Sequence, residues 1–183
     1  LEASSGYGMA CKIVNFAMLV SSALMQPMAS FVSQNVGAGK LDRLGQGLRS
    51  AVILGAVYSA IILLVLIVFG QNLVYLFVDP KETVVVAQAR QFLITNAVFY
   101  VPLALVNIVR FLIQGMGFSG FAVFAGVFEM IARALVGLAF VPLFGYSAAC
   151  FASPLAWIFA DCFLIPAFFH CRKKLMQAGS DQM

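Results

Sequence analysis

The segment SAVILGAVYSAIILLVLIVFGQNLVYLFV, Ser50–Val78, contains no Asp, Glu, Lys or Arg, and it decides the solvent in which this chain folds. About twenty apolar residues of helix cross a hydrocarbon core, and this run is longer than that. Four other stretches share its character: Ile13–Gly39, Gln91–Val109, Phe111–Phe128 and Ala134–Ala160. A chain of 183 residues with 63% hydrophobic residues, 10% charged residues and a mean hydropathy of +1.01 lies outside the range of water-soluble domains. The runs are continuous and lack the ten-residue alternation of outer-membrane strands, so the fold class is all-α, a polytopic membrane helix bundle. The first run is neither short enough nor suitably flanked to be a secretory leader, and it belongs to the bundle.

Breakers divide the sequence into five membrane helices at about 6–35, 48–70, 84–113, 118–141 and 148–171. Gly37, Gly39, Lys40, Asp42 and Arg43 close the first; Asp79-Pro80 closes the second; Gly115, Gly117 and Gly120 follow the third, and Pro142 and Gly145 the fourth. Lys40, Arg43 and Arg49 flank the first connection and Arg172, Lys173 and Lys174 the tail, whereas Asp79–Glu82 is slightly acidic and Pro142–Ser147 uncharged. Basic flanks face the cytoplasm, so the chain reads as starting outside and ending inside, multi-pass in a plasma or inner membrane. An odd number of spans and Leu at position 1 read as a piece of a longer protein. No linker or second domain interrupts residues 1–183, which read as one transmembrane bundle.

Several function classes lose support here. Cys11, Cys150, Cys162 and Cys171 have no C-x-x-C spacing, and with one histidine, His170, there is little from which to build a metal site. The net charge of +4 reflects topology rather than nucleic-acid binding, because the basic residues cluster beside membrane segments. No H-E-x-x-H, G-x-S-x-G or P-loop occurs, nor a dinucleotide fingerprint following a strand, so no enzyme, cofactor or metal is expected.

Ionisable groups inside lipid cost about 2.5–3.5 kcal/mol or more, so each needs a partner or a task. Glu129 and Arg133 stand i, i+4 on one face of the fourth helix, acid first. Asp161 lies in the fifth helix, and helix rise places both carboxylates about 15–17 Å from the cytoplasmic end of their helices. Antiparallel neighbours at one level bring them face to face, with Arg133 reaching between them. Two readings stand side by side: a static ion pair fixing helix rotation, or an ion-coupling cluster. In the second, two carboxylates sharing one arginine cannot both be compensated, and one binds a proton or cation as the bundle moves.

Uncharged polar residues recur within the helices at Asn15, Gln26, Asn96, Tyr100 and Asn107. The last three, spaced by four and seven, share a stripe. They read either as interhelical hydrogen bonds or, with Met and aromatic side chains, as the wall of a pathway for a bulky amphipathic substrate. Pro27, Pro102, Pro154 and Pro166 each remove a helical hydrogen bond and are candidate bends.

The segment Met25–Lys40, with the following Asp42 and Arg43, resembles the multidrug and toxic compound extrusion (MATE) family. Its most telling part is Gln34, Asn35, Gly37, Gly39, Lys40 and Arg43, which resembles the signature at the cytoplasmic end of the second helix of each six-helix half. Gln114–Gly117 resembles the end of the family's tenth helix; Glu129 with Arg133, and Pro154–Asp161, resemble its last two. The resemblance runs from about Gly8 to Lys174 and implies helices eight to twelve, the larger part of the C-terminal bundle, with helix seven and the N-terminal bundle elsewhere. It also implies an efflux antiporter that exchanges sodium ion or proton for drug-like, often cationic, substrates by alternating access between two bundles. NorM-like members carry an acid in the middle of the tenth helix; Tyr100–Leu105 has none, so the resemblance is closer to the DinF-like or other bacterial branches.

A lipid-linked glycan flippase of the same superfamily is the alternative, and a non-transporting scaffold a third. A flippase calls for several cavity-facing cations. Only Arg133 reads as mid-membrane, with Lys12 and Arg90 nearer the outer face and Arg110 near the inner one, so export is favoured. The partners expected are the bilayer, small-molecule substrates and the opposing bundle.

Overall fold

The computed structural model describes residues 2–79 and 81–180; the Pro80 breaker lies outside them. Helices α1 (Glu2–Met25) and α2 (Pro27–Gly37) form the first span, and α3 (Arg43–Tyr75) the second. The third is α4 (Thr83–Val98) with α5 (Tyr100–Gly115), and the fourth is α6 (Ser119–Leu135), a π-helical turn (Val136–Phe140) and α7 (Val141–Phe144). The fifth is α8 (Tyr146–Ser180). Four of these spans are helices long and apolar enough to cross a membrane, and the bent α4–α5 pair makes the fifth.

The helices run past the expected limits because a helix does not stop where lipid does. At 33 residues α3 is about 50 Å long, so it tilts or projects beyond the hydrocarbon layer. The prolines act unequally. Pro102 cannot donate to the Val98 carbonyl, Phe99 leaves the helical path at φ −97° and ψ 16°, and α4 and α5 meet at 51°. Pro27 follows a one-residue interruption at Gln26, within a single span. Pro142 leaves the Leu138 carbonyl without its donor, and the wider π turn lies just before it. Pro154 and Pro166 sit inside an α8 that runs without interruption.

The signature segment is a helix stop. Lys40 N–H donates to the Asn35 carbonyl at 2.8 Å and Gly39 N–H to the Val36 carbonyl at 3.1 Å, a Schellman cap closed by Gly39 at φ +67°. Asn35 is buried and its Nδ2 donates to the Phe31 carbonyl at 2.7 Å, while Gln34, Gly37, Lys40 and Arg43 are exposed. The same cap recurs after α5, where Phe118 N–H reaches the Ile113 carbonyl, Gly117 N–H reaches the Gln114 carbonyl, and Gly117 has φ +88°.

The centre of the bundle is α5, which buries Tyr100, Leu103, Ala104, Asn107, Ile108, Leu112 and Ile113 against α1, α2, α3, α6 and α8. Small residues allow this. Gly47, Ala51, Gly55 and Ser59 form a buried i, i+4 row on α3, and a Cβ on Gly55 would stand 3.1 Å from Ala104 Cβ and Ile108 Cδ1. Close backbone approach over small side chains is how helices associate in lipid. The opposite face of α3 shows Ile53, Val57, Ile61, Leu64 and Val68, an apolar stripe for lipid. A second, smaller core gathers Ala10, Val14, Val74, Val85, Val86, Ala89 and Phe92 near the other end.

A Cβ on Gly115 would lie 2.5 Å from the backbone oxygen of Ala29. Gly115→Ala is therefore expected to cost about 1–3 kcal/mol through overpacking. Gly70→Ala, with nothing within 4 Å, should be neutral or stabilising. Unfolding midpoints of the detergent-solubilised full-length protein check this, and equal midpoints would show that α2 and α5 are not in contact.

Candidate functional site

Three helices bring the charges together. Arg110 lies on α5, Glu129 and Arg133 on α6 and Asp161 on α8, and all three helices pack against one another. The Phe128 and Phe163 rings, 4.8 Å apart, set the register of α6 against α8 and put Glu129 and Asp161 at one level. Arg110 Nη2 donates to Glu129 Oε1, and Arg133 Nη2 donates to Glu129 Oε2 at 3.2 Å. Glu129 is thus held by two arginines from two helices, with its side chain 12% exposed.

This corrects the expected triad in two respects. Arg133 does not bridge the carboxylates: it turns to Glu129 alone and its side chain stays 43% exposed. Arg110, expected near the inner face, is the inward-reaching partner, because its long arm spans more than a helical turn from its Cα. Hence two arginines, not one, stand beside two carboxylates. Asp161 is buried, with Oδ1 lacking a hydrogen-bond partner among the described residues, and it lies within electrostatic reach of both Glu129 and Arg110.

A column of polar atoms leads along the α5–α8 seam to this cluster. Asn96 Nδ2 donates to the Phe92 carbonyl at 2.9 Å, but Asn96 Oδ1, Tyr100 Oη, Asn107 Nδ2, Arg110 Nε and Trp157 Nε1 are buried with no partner among the described residues. The Tyr100 and Trp157 rings lie 6.2 Å apart. Each such orphan costs about 1–3 kcal/mol, so a row of them marks a place where another group or another conformation supplies the bonds. Asn96, Tyr100 and Asn107 are enclosed by helices here and do not open on a cleft. Trp157 joins them, a residue that spacing along the sequence does not single out.

Asn15 and Gln26 lie elsewhere, on the exterior of the first span. With Lys12, Ser22, Ser30 and Ser33 they follow spacings of 3, 7, 4, 4 and 3, which is one helical face. All but the half-buried Ser22 are exposed. A groove of about 430 Å³ at the Gly37 end of this stripe is lined by Ala29, Ser30, Ser33, Gln34, Gln114 and Gly115. The serines carry the same periodicity as Asn15 and Gln26, a signal present in the sequence but masked by their small size.

Among the described residues no group of three potential metal-ligating side chains occurs, and Cys11, Cys150, Cys162 and Cys171 are free thiols.

Comparison with known proteins identifies the architecture. The MatE family model matches residues 2–143, and the chain belongs to that family. It is 26% identical over 86 residues to the "Probable multidrug resistance protein YoeA" of Bacillus subtilis (strain 168), an alignment covering 47% of this chain and 19% of that protein. It also superposes on a solved structure, "Inward-facing conformation of a multidrug resistance MATE family transporter of the MOP superfamily", with a TM-score of 0.81 at 14% identity. That match covers 90% of this chain and 37% of the other, and the likeness is one of fold. The chain therefore spans well under half the length of the proteins it matches.

Removing Arg110 leaves Glu129 with one half-exposed partner. In the full-length protein Arg110→Ala should lower stability by about 1–3 kcal/mol, the cost of leaving one oxygen of a largely buried carboxylate unpaired. Arg133→Ala should cost clearly less, and Arg110→Ala with Glu129→Ala should recover much of the first loss. Thermal unfolding in detergent checks the order; equal effects of the two arginine variants would contradict it.

Proposed function

We propose that this MatE-family chain forms most of the C-terminal bundle of a secondary active exporter. It exchanges drug-like, often cationic compounds for sodium ion or proton by alternating access against an N-terminal bundle of the same protein. The carrying observation is the polar stripe of Lys12, Asn15, Ser22, Gln26, Ser30 and Ser33. The exposed face of α3 is apolar along its middle, as lipid requires, with Ile61 and Leu64 outermost, and α6 exposes Val123 and Phe124, with Arg133 tied to Glu129. A stripe of hydrogen-bonding groups facing lipid would be expensive, whereas one facing a second bundle across a watery cavity is not. Asn15 and Gln26 would meet substrate there, and the groove at Ser30, Ser33, Gln34 and Gln114 would continue the path inward. The multidrug resistance in the names of the similar proteins agrees with such cargo.

The proposed orientation follows the basic ends. Lys174 Nζ stands 5.6 Å over the Phe118 ring and Gly115 lies against Ala29, so the tail, the α5–α6 turn and the end of α2 share one side. That side carries Lys40, Arg43, Arg49, Arg172 and Lys173, and it would face the cytoplasm, with the first residues outside. A flippase would turn several cations toward the cavity for phosphate; the stripe carries one, Lys12, while Arg110 and Arg133 are both tied to Glu129, which favours the exporter.

Cells carrying the full-length gene should extrude ethidium, and collapsing the coupling gradient should stop it, whereas the five-span chain alone should confer no efflux. In the full-length protein, cysteine at Asn15 or Ser33 should react with a membrane-impermeant maleimide and cysteine at Ile61 should not. Absence of efflux for any tested cation, with a closed stripe, would move the reading to the flippase or the scaffold.

A further inference from the structure

Asp161 is the buried acid for which the ion-pair network makes no provision. Both oxygens of Glu129 are engaged, one by Arg110 and one by Arg133. Asp161 Oδ1 faces no donor within hydrogen-bond distance, yet the unpaired buried atoms around it are mostly donors: Arg110 Nε and Asn107 Nδ2 on α5, and Trp157 Nε1 one turn away on its own helix. Asn96 Oδ1 and Tyr100 Oη are the unpaired oxygens of the same seam. Arg110 is within electrostatic reach of Asp161 and would suit its ionised form, but its hydrogen bond goes to Glu129. The elements packed on α8 add no other nearby charge. Glu129 and Arg133 are the charges of α6 and Arg110 that of α5. Arg90 of α4 lies beside Gln91, which bonds Ser147, about 21 Å along α8 from Asp161.

On the exporter reading above, we propose that Asp161 is a proton site whose carboxyl is held alternately by a proton and by Arg110, so that this bundle exchanges H⁺ rather than Na⁺. In the state described here Asp161 carries the proton and Arg110 holds Glu129. When α8 shifts against α5, the Arg110 guanidinium moves onto Asp161, Glu129 keeps Arg133, and the Asp161 O–H bond breaks with release of H⁺ to water. One proton leaves and no other bond changes. The cluster changes from two cations and one anion to two of each, and a guanidinium moves only when a proton does. A sodium ion fits poorly, because it needs several oxygen ligands and Asp161 supplies the one charged oxygen among the unpaired atoms of the seam, where three N–H donors, those of Asn107, Arg110 and Trp157, would repel a metal. Glu129 is in this scheme the fixed resting place of Arg110 and Asp161 the titrating member.

The test uses the full-length transporter in proteoliposomes with ethidium as cargo. Wild type should accumulate ethidium under an imposed pH gradient, about tenfold per pH unit for one proton per substrate, and not under a sodium gradient alone. Asp161→Asn should retain ethidium binding and ethidium–ethidium exchange but lose gradient-driven accumulation and proton release on binding; Asp161→Glu should keep both. Infrared spectra of the wild-type protein should show a protonated-carboxyl band that shifts in Asp161→Glu and vanishes in Asp161→Asn, a readout independent of transport. Wild-type accumulation on sodium alone, unaltered pH coupling in Asp161→Asn, or absence of the band would each overturn the assignment. Failure of wild type to move ethidium under either gradient would instead count against the exporter, with the band still deciding whether Asp161 holds a proton.

Discussion

Every polar group inside a bilayer must find its partner within the protein, because no water stands ready to replace it. This constraint organises the whole bundle. It makes the backbone helical throughout the spans, and it removes the hydrophobic drive that would otherwise press helices together. Association then depends on shape, and the small-residue row Gly47, Ala51, Gly55 and Ser59 lets α3 approach Ala104 and Ile108 of α5. The helix surrounded on most sides, α5, is also the helix that carries Tyr100, Asn107 and Arg110. Enclosure and polarity coincide for one reason: only the most enclosed helix keeps its polar groups away from lipid on every side.

The same constraint gives the ion pairs their meaning. A carboxylate in lipid is tolerable when each oxygen is paired, and Glu129 with Arg110 and Arg133 is such a unit, spanning α5 and α6 with one positive charge left over. Once formed it fixes the rotation of α6, while the Phe128–Phe163 and Phe121–Phe163 ring contacts set its height against α8. Asp161 is brought to this level by packing rather than by pairing. Its place is determined by aromatic neighbours, leaving its own hydrogen-bonding requirement to be met by something that comes and goes.

Hydropathy alone made the five spans, their order and the two caps at Gly39 and Gly117 readable, because charge-free length and glycine at a helix end each have one physical meaning. What it could not supply is direction. Asn15 and Gln26 point outward while Asn96 and Asn107 point inward, and nothing in an amide side chain distinguishes the two when both faces of a span are largely apolar. The pairing of Arg110 is hidden for another reason: position along the sequence fixes the depth of a Cα, whereas a guanidinium acts at the end of a long arm. The bend at Phe99 appears a turn before Pro102, since the proline disturbs the carbonyl four residues back, and the π turn before Pro142 follows the same rule. Pro154 offers the identical residue type without interrupting α8, so proline marks an opportunity for a bend that packing decides.

Family membership and packing together suggest why the bend at Phe99 sits where it does. The two apolar cores are stacked along the spans: one around α4, with Ala10, Val14, Val74 and Cys150, the other around α5, with Met25, Leu66, Leu112 and Leu164. Phe99 lies between them, flanked by Asn96 and Tyr100, and Trp157 stands across from Tyr100 on α8. The boundary between the cores is also where three buried polar atoms without partners gather, Asn96 Oδ1, Tyr100 Oη and Trp157 Nε1. An apolar interface resists sliding because its shape is interlocked, whereas unpaired polar atoms gain bonds from a small displacement. A seam of that kind, next to a helix already bent, is the place in the bundle where one half can shift against the other at least cost, and it leads directly from the Tyr100–Trp157 contact to Asn107, Arg110 and Asp161.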